Sequence, residues 1–131
     1  MRPQNIVEID GRYYNARIPE DGIKRKFQIL DDDSAGRVGS GEMYRSIIGT
    51  YYNYTIQFDT LGMDPDEYDA LYNVLSSPVD YHVITVPYGQ ETLTFNAYIT
   101  AGEDSLKVVR RGVNSWNGLS VDFVAMGPQR T

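Results

Sequence analysis

A chain of 131 residues with 41% hydrophobic and 23% charged residues has the composition of one globular domain, spanning 1–131, with a genuine core. Its 18 acidic and 12 basic side chains give a net charge of -6, which disfavours nucleic-acid binding because phosphates are repelled. The absence of cysteine excludes a disulfide framework, a thiol nucleophile and a cysteine-ligated zinc site. No segment approaches the roughly 20 apolar residues of a membrane helix, so we expect no membrane partner.

The first part of the chain predicts short strands joined by turns. Asp10-Gly11 favours a two-residue hairpin, because both turn positions of such a hairpin need positive φ. The predicted strands cover 5–9, 12–18 and 23–30, and a second turn at 19–22 joins the last two. In the last strand, alternation places Ile23, Phe27 and Ile29 on one face.

Residues 31–42 form a polar, glycine-rich loop that has part of a calcium-binding pattern. Asp31, Asp33 and Glu42 have the spacing of positions 1, 3 and 12 of an EF-hand loop. Ala35 removes the ligand at position 5, and the flanking segments predict strands where an EF-hand has helices. The sequence therefore favours a solvated loop over a calcium site, and we expect no cofactor.

Residues 46–58 predict one strand about twice the mean strand length of about 5–6 residues. Alternation directs Tyr54, Ile56 and Phe58, with Ile48 and Tyr52, towards a core. The opposite face and the matching polar face of 92–101 supply the candidate interface residues, which are Tyr51, Asn53, Thr55 and Tyr98. A strand this long outruns a small domain or joins a sheet larger than one chain, which favours a part of an assembly over an enzyme.

The predicted helix covers 64–76. Asp64 can cap it, Pro65 suits its first position, and Glu67 completes a capping box. Its apolar stripe, at i, i+3, i+4 and i+7, consists of Tyr68, Leu71, Tyr72 and Leu75. We expect this stripe to lie under Tyr52, Tyr54, Ile56 and Phe58.

The remainder of the chain predicts strands again. They cover 79–86, 92–101, 106–110 and 119–126, with Asn117-Gly118 as a turn and 127–131 as a tail. The sum is a mainly β (α+β) fold, a β-sandwich or open barrel of about eight strands with one flanking helix.

No constellation of catalytic residues emerges, so we expect no enzyme. His82 is the only histidine, and its strand neighbours Ile84 and Val86 favour a place at the edge of the core. Neither a nucleophile elbow nor a phosphate-binding glycine loop is present, and no pair of carboxylates is singled out for glycoside hydrolysis.

Six short motifs are spread through most of the chain. They are R-x-I-I-G-x-Y-Y-N-Y-T at 45–55, L-x-x-P-V at 75–79, T-F-N-A-Y-I at 94–99, W-x-G-L at 116–119, F-x-A at 123–125 and P-x-R at 128–130. Together they resemble small structural proteins of the tail modules of tailed bacteriophages and prophages of Gram-positive bacteria. The order of elements is also similar to the tail-tube fold, which tube subunits, tail terminators and the distal-tail hub share.

The resemblance implies self-assembly into a homo-oligomeric ring in the virion tail, through which DNA passes without sequence-specific binding. It implies other phage tail proteins as further partners, synthesis in the bacterial host cytoplasm, and no catalytic residues. Which ring, and with what copy number, stays open. The alternative is a ligand- or carbohydrate-binding β-sandwich module, with Tyr13, Tyr14, Tyr88 and Trp116 as sugar-stacking candidates. A hydrolase built on His82 is the third and weakest hypothesis.

Overall fold

The computed structural model describes residues 7–33, 35–37, 39, 41–60 and 63–131, which form nine strands and one helix. The strands are β1 Glu8–Ile9, β2 Arg12–Tyr13, β3 Ile23–Asp31, β4 Gly36–Arg37, β5 Met43–Tyr44, β6 Ile47–Phe58, β7 His82–Tyr88, β8 Glu91–Arg110 and β9 Val113–Ala125, and the helix is α1 Pro65–Leu75. The predicted mainly β fold with one flanking helix is confirmed. The hairpin at Asp10-Gly11 is confirmed too, since both residues have positive φ, 53° and 83°.

Seven strands form one antiparallel sheet in the order β2-β1-β7-β8-β9-β6-β3, and β4 pairs separately with β5. In a flat sheet, β7 and β3 would lie four strand spacings apart, about 19 Å. The guanidinium carbon of Arg25 on β3 nevertheless lies 5.3 Å from the ring centroid of Tyr88 on β7. Tyr54 on β6 likewise donates a hydrogen bond to the carbonyl of Pro87 on β7, at 2.9 Å. The sheet therefore curls into an open barrel.

The core fills this barrel, and α1 adds its apolar stripe to it. Tyr54, Ile56 and Phe58 are buried in one cluster with Tyr68, Leu71 and Leu75. The position of the helix stripe directly under β6 stays a prediction. Tyr72 is 38% exposed. Tyr52 is half-buried about 20 Å along β6 from Phe58, with its ring edge-on to Tyr88.

The ends of α1 follow the sequence signals. Asp64 caps the helix by accepting a hydrogen bond from the Glu67 amide at 3.3 Å, and Pro65 is its first residue. Glu67 accepts from the amide of Asn15, which ties the helix start to the N-terminal segment. No helix in the described residues is both long and apolar enough to cross a membrane.

The β8–β9 hairpin differs from the prediction. Residues 92–101 and 106–110 belong to one continuous strand, and the chain reverses at Arg111-Gly112, whose φ values are 55° and 77°. Asn117-Gly118 is a β-bulge inside β9: two β9 residues, Gly118 and Leu119, lie opposite one residue of β8. Gly118 has φ of 75°, and a bulge uses the same left-handed glycine as a hairpin turn. The dipeptide thus predicted the backbone conformation correctly but not the strand reversal.

The predicted tail at 127–131 lies along β6 instead of projecting into solvent. Thr50 donates its amide to the Arg130 carbonyl at 2.7 Å. The Gln129 side chain bonds both backbone groups of Tyr52, at 2.9 Å each. This segment occupies the edge of β6 beyond the end of β9, and at Gly49 it lies so close that no Cβ would fit without a shift.

We expect Gly49→Ala to destabilise the protein by about 2 kcal/mol, because overpacking a tight contact costs about 1–3 kcal/mol. A Cβ at position 49 would lie 2.6 Å from the Arg130 carbonyl oxygen and 2.7 Å from the Pro128 Cβ. Urea unfolding measures the change. Gly36→Ala is the control, because a Cβ there meets nothing within 4 Å. Equal stabilities of the two variants would contradict the close packing of the C-terminal segment.

Candidate functional site

One end of the barrel, where β6 begins and β3 ends, presents apolar side chains to solvent. We call it the open end. Phe27 and Ile29 of β3 pair with Tyr52 and Thr50 of β6, and this register places them on the same face as the buried Tyr54. They are nevertheless 67% and 43% exposed, because the core does not extend this far along the two strands. The predicted common face of Ile23, Phe27 and Ile29 is therefore present, but only Ile23 packs against the core.

Ile47 and Ile48 extend this surface. An irregularity in the β3–β6 pairing leaves Ile48 as an extra residue between two paired positions of β6, and the two isoleucines are 57% and 43% exposed. We call Phe27, Ile29, Ile47 and Ile48 the mouth patch. Contiguous exposed apolar patches larger than a few hundred Å² are rare on soluble monomers, and such patches mark interaction sites. The mouth patch is thus a candidate contact surface.

β3 is also an edge of the sheet. Its nine residues pair with β6 on one side, and within the described ranges its other side has no strand partner. An edge strand offers a row of backbone donors and acceptors on which another chain can pair. Lys24 and Lys26 lie on the face away from the mouth patch, opposite Thr55 and Asn53. Charged side chains on an edge restrict which partner can approach it.

Beside the mouth patch, two arginines converge on two tyrosines. Tyr88 donates a hydrogen bond to the Tyr52 hydroxyl at 3.2 Å, and the two ring centroids are 5.2 Å apart. Arg25 lies over the Tyr88 ring, and Arg130 donates to the Tyr52 hydroxyl. We call Arg25, Tyr52, Tyr88 and Arg130 the mouth cluster. Four separate segments supply it: β3, β6, β7 and the C-terminal segment.

The mouth cluster is electrostatically positive. Hydrogen bonds from Tyr88 and Arg130 lower the pKa of the Tyr52 phenol, and the same contacts raise the pKa of the Tyr88 phenol and of the Arg130 guanidinium. Among the residues that the structure describes, neither Arg25 nor Arg130 forms an ion pair with a carboxylate. Two cations therefore face the open end without an anionic partner among the described residues.

The candidate interface residues from the sequence lie on the opposite face of the sheet. The Asn53 side chain accepts from the amide of Ala125, and Thr55 donates to Asp122, both at 2.9 Å, so both side chains already have partners in the chain. Tyr51 is half-buried, and Tyr98 is 39% exposed. Of the four, Tyr98 offers the most accessible ring, and a role of this face in assembly stays a prediction.

The loop with the calcium-like spacing holds its carboxylates differently from a metal site. Arg45 forms a two-pronged ion pair with Asp31 at 3.0 and 3.1 Å, and Ser46 donates to Asp32 at 2.7 Å. Across the described residues, no group of three or more histidine, aspartate or glutamate side chains is arranged to hold a metal ion. The loop that includes Asp33 and Glu42 therefore gains no support as a calcium site.

His82 is buried and paired with Asp10. Its Nδ1 lies 2.7 Å from one Asp10 carboxylate oxygen, and the other oxygen accepts from the Val83 amide at 3.0 Å. Burial opposes ionisation of Asp10, but the hydrogen bonds from His82 and Val83 outweigh it and lower the pKa of the carboxyl. The pair fastens the β1–β2 turn to β7.

A cavity of about 320 Å³ lies beside His82, between the end of α1 and strands β8 and β9. Ser76 and Ser77, which line it, donate their hydroxyls to helix carbonyls at 2.7 Å. Neither serine is therefore placed as a nucleophile for His82.

At the helix start, the Tyr68 hydroxyl donates to Asp104, and burial together with this bond raises the pKa of the phenol.

The four sugar-stacking candidates differ in how accessible their rings are. Tyr14 is buried with the Arg12 guanidinium over its ring, so neither face is open to a sugar. Trp116 is half-buried against the core, whereas Tyr13 is 50% exposed and Tyr88 belongs to the mouth cluster.

No model of a known protein family matches this chain, and no curated protein matches it in sequence.

We expect Asp10→Asn to destabilise the protein by about 1 kcal/mol at about pH 7. The carboxylate is 44% exposed, so solvent screening keeps the stabilisation from its hydrogen bonds at the low end of the range for charged groups. The folded-state pKa of Asp10 lies below its ordinary value of 3.8, so the stabilisation is complete above 3.8 and is lost as the pH falls through the folded-state pKa. Asparagine tolerates the positive φ at this position, which isolates the effect of charge.

Urea unfolding of wild type and variant across this pH range measures the effect. The difference between the two proteins should shrink below 3.8. Asp80→Asn, at an exposed position, is the control and should change stability little. A difference that stays constant down to the lowest pH would contradict the role of the ionised Asp10.

Proposed function

We propose that this protein is a structural subunit of a phage tail with a tail-tube-like fold, and that copies of it assemble into a closed ring. The observation that carries the proposal is the mouth patch, because it lies on the core face of the sheet but outside the core. Burying one large apolar side chain contributes about 1.5–3 kcal/mol, so covering the patch with a neighbouring copy makes the free energy of association substantially more favourable. The motifs at 45–55, 94–99 and 128–130, which resemble tail proteins, support the same class of function.

A ring needs contacts between unlike surfaces. When one surface meets a different surface on the next copy, the contact is heterologous. Repeated heterologous contacts form a ring if the rotation from each copy to the next adds up to a full circle. The unpaired edge of β3, next to the mouth patch, gives a contact of this kind a backbone component and hides the edge from other chains.

The charge of the chain suits a passage for DNA. With a net charge of -6, the subunit repels phosphates, so DNA passes through the ring without sequence-specific binding. The partners of the ring are then other tail proteins above and below it, and its place is the virion tail, after synthesis in the bacterial host cytoplasm.

A ligand-binding β-module is the second candidate, and the cavity beside His82 favours it. Its volume of about 320 Å³ lies near the lower end of the range for small-molecule pockets, roughly 300–1,000 Å³. A glycan array and a small-molecule thermal-shift screen test this candidate. A ligand that Val79→Trp displaces from the cavity would favour it over the ring, since Val79 lines the cavity.

We expect Phe27→Ser to weaken self-association at least about tenfold, because it removes the most exposed ring of the mouth patch; a loss of about 1.4 kcal/mol suffices for a factor of ten. Sedimentation velocity over a concentration series, with negative-stain imaging of the largest species, measures assembly. Val79→Ser is the control, because Val79 is 54% exposed in the loop before β7.

Tyr98→Ser tests the other face of the sheet in the same experiment. Loss of assembly in this variant, with assembly intact in Phe27→Ser, would move the contact to the face of Tyr51 and Tyr98. A wild-type protein that stays monomeric at high concentration, alone and with other tail proteins, would overturn the ring proposal.

A further inference from the structure

The mouth cluster has the chemistry of a carboxylate site. Guanidinium groups bind carboxylates through paired hydrogen bonds, and aromatic rings beside them add to the contact. Arg25 reaches the cluster from β3 and Arg130 from the C-terminal segment, so the two cations flank the Tyr52–Tyr88 pair. Tyrosine and arginine, with tryptophan, are also the residues enriched at the energetic hot spots of protein interfaces.

The outward face of α1 carries the complementary groups. Asp66 and Asp69 lie one turn apart and are exposed, and neither forms an ion pair in the described part of the chain. Side chains three residues apart on a helix are neighbours, about 5–6 Å between Cβ atoms. Tyr72 follows one turn later, at the border of the apolar stripe, and is 38% exposed. This side of the helix thus presents two carboxylates with an aromatic ring at its edge.

We infer that the mouth cluster binds the acidic face of α1 from a second copy of this chain, with Asp66 and Asp69 paired to Arg25 and Arg130 and with Tyr72 against Phe27. This inference rests on the proposed ring, for which it names the two surfaces that meet. One molecule cannot make the contact with itself: Asp69 lies beside Trp116 of β9, past the Leu119 that pairs with Phe58, and the mouth lies about 20 Å back along β6. Each copy therefore offers one donor surface and one acceptor surface, as a head-to-tail contact requires.

A charge-swap experiment tests the pairing. The mouth-reversed variant carries Arg25→Glu and Arg130→Glu, and the helix-reversed variant carries Asp66→Arg and Asp69→Arg. Each alone places like charges across the contact and should weaken self-association at least about tenfold, as measured by sedimentation velocity. The variant with all four changes, and an equimolar mixture of the two reversed proteins, restore opposite charges at every contact and should recover assembly.

Recovery also proves that the reversed proteins are folded. Circular dichroism and thermal unfolding check this directly, and the neutral pair Arg25→Gln and Arg130→Gln replaces the mouth-reversed variant if that protein does not fold. The neutral pair should weaken assembly and reduce its dependence on salt.

The outcomes separate this inference from the ring itself. Loss of assembly in both reversed variants without recovery in the combinations would overturn α1 as the occupant. Assembly that persists in the mouth-reversed variant would overturn the carboxylate site and leave the ring standing. A third outcome is that the wild type binds a labelled single-stranded oligonucleotide and the mouth-reversed variant does not, with assembly intact in both. That outcome would overturn the carboxylate site in favour of a site for phosphate. A wild-type protein that never self-associates would overturn both proposals.

Discussion

The length of β6 relative to the core is the constraint on which the rest of the structure depends. β6 has 12 residues, about 40 Å, but β9 pairs only with its last five, from Tyr54 to Phe58. That part supplies the core, and β3 accompanies β6 over almost its whole length. The two strands consequently carry their apolar face beyond the space that α1 and the curled sheet enclose. The mouth patch is the direct result of this mismatch in length.

The C-terminal segment resolves part of the same mismatch. Where β9 ends, residues 127–131 take over the edge of β6 through the backbone of Thr50 and the side chain of Gln129. Glycine at position 49 permits the close approach, since a Cβ would meet the Arg130 carbonyl. Arg130 is thereby delivered to the mouth cluster, which links the packing of this segment to the charge at the open end.

The polar contacts of the chain divide into those that are satisfied internally and those that face outwards. His82 with Asp10, Tyr68 with Asp104, and Arg45 with Asp31 each join separate segments and have their partners in place. The guanidinium groups of the mouth cluster have aromatic and hydroxyl neighbours but no carboxylate among the described residues. This contrast is why the open end of the barrel, and not the His82 cavity, is the better candidate for function.

Local patterns in the sequence determined the elements: the Asp10-Gly11 hairpin, the Asp64 cap with its helix, and the alternation of β6 all depend on neighbouring residues alone. The sequence did not separate a bulge from a turn at Gly118, because both need the same left-handed backbone. Nor did it reveal that Phe27 is exposed, since alternation predicts which residues share a face but not how far the core extends along it. The mouth cluster joins residues up to 105 positions apart, Arg25 and Arg130, and only the curling of the sheet brings Tyr88 of β7 to Arg25 of β3. Local chemistry thus decided the strands and the helix, and tertiary curvature decided the site.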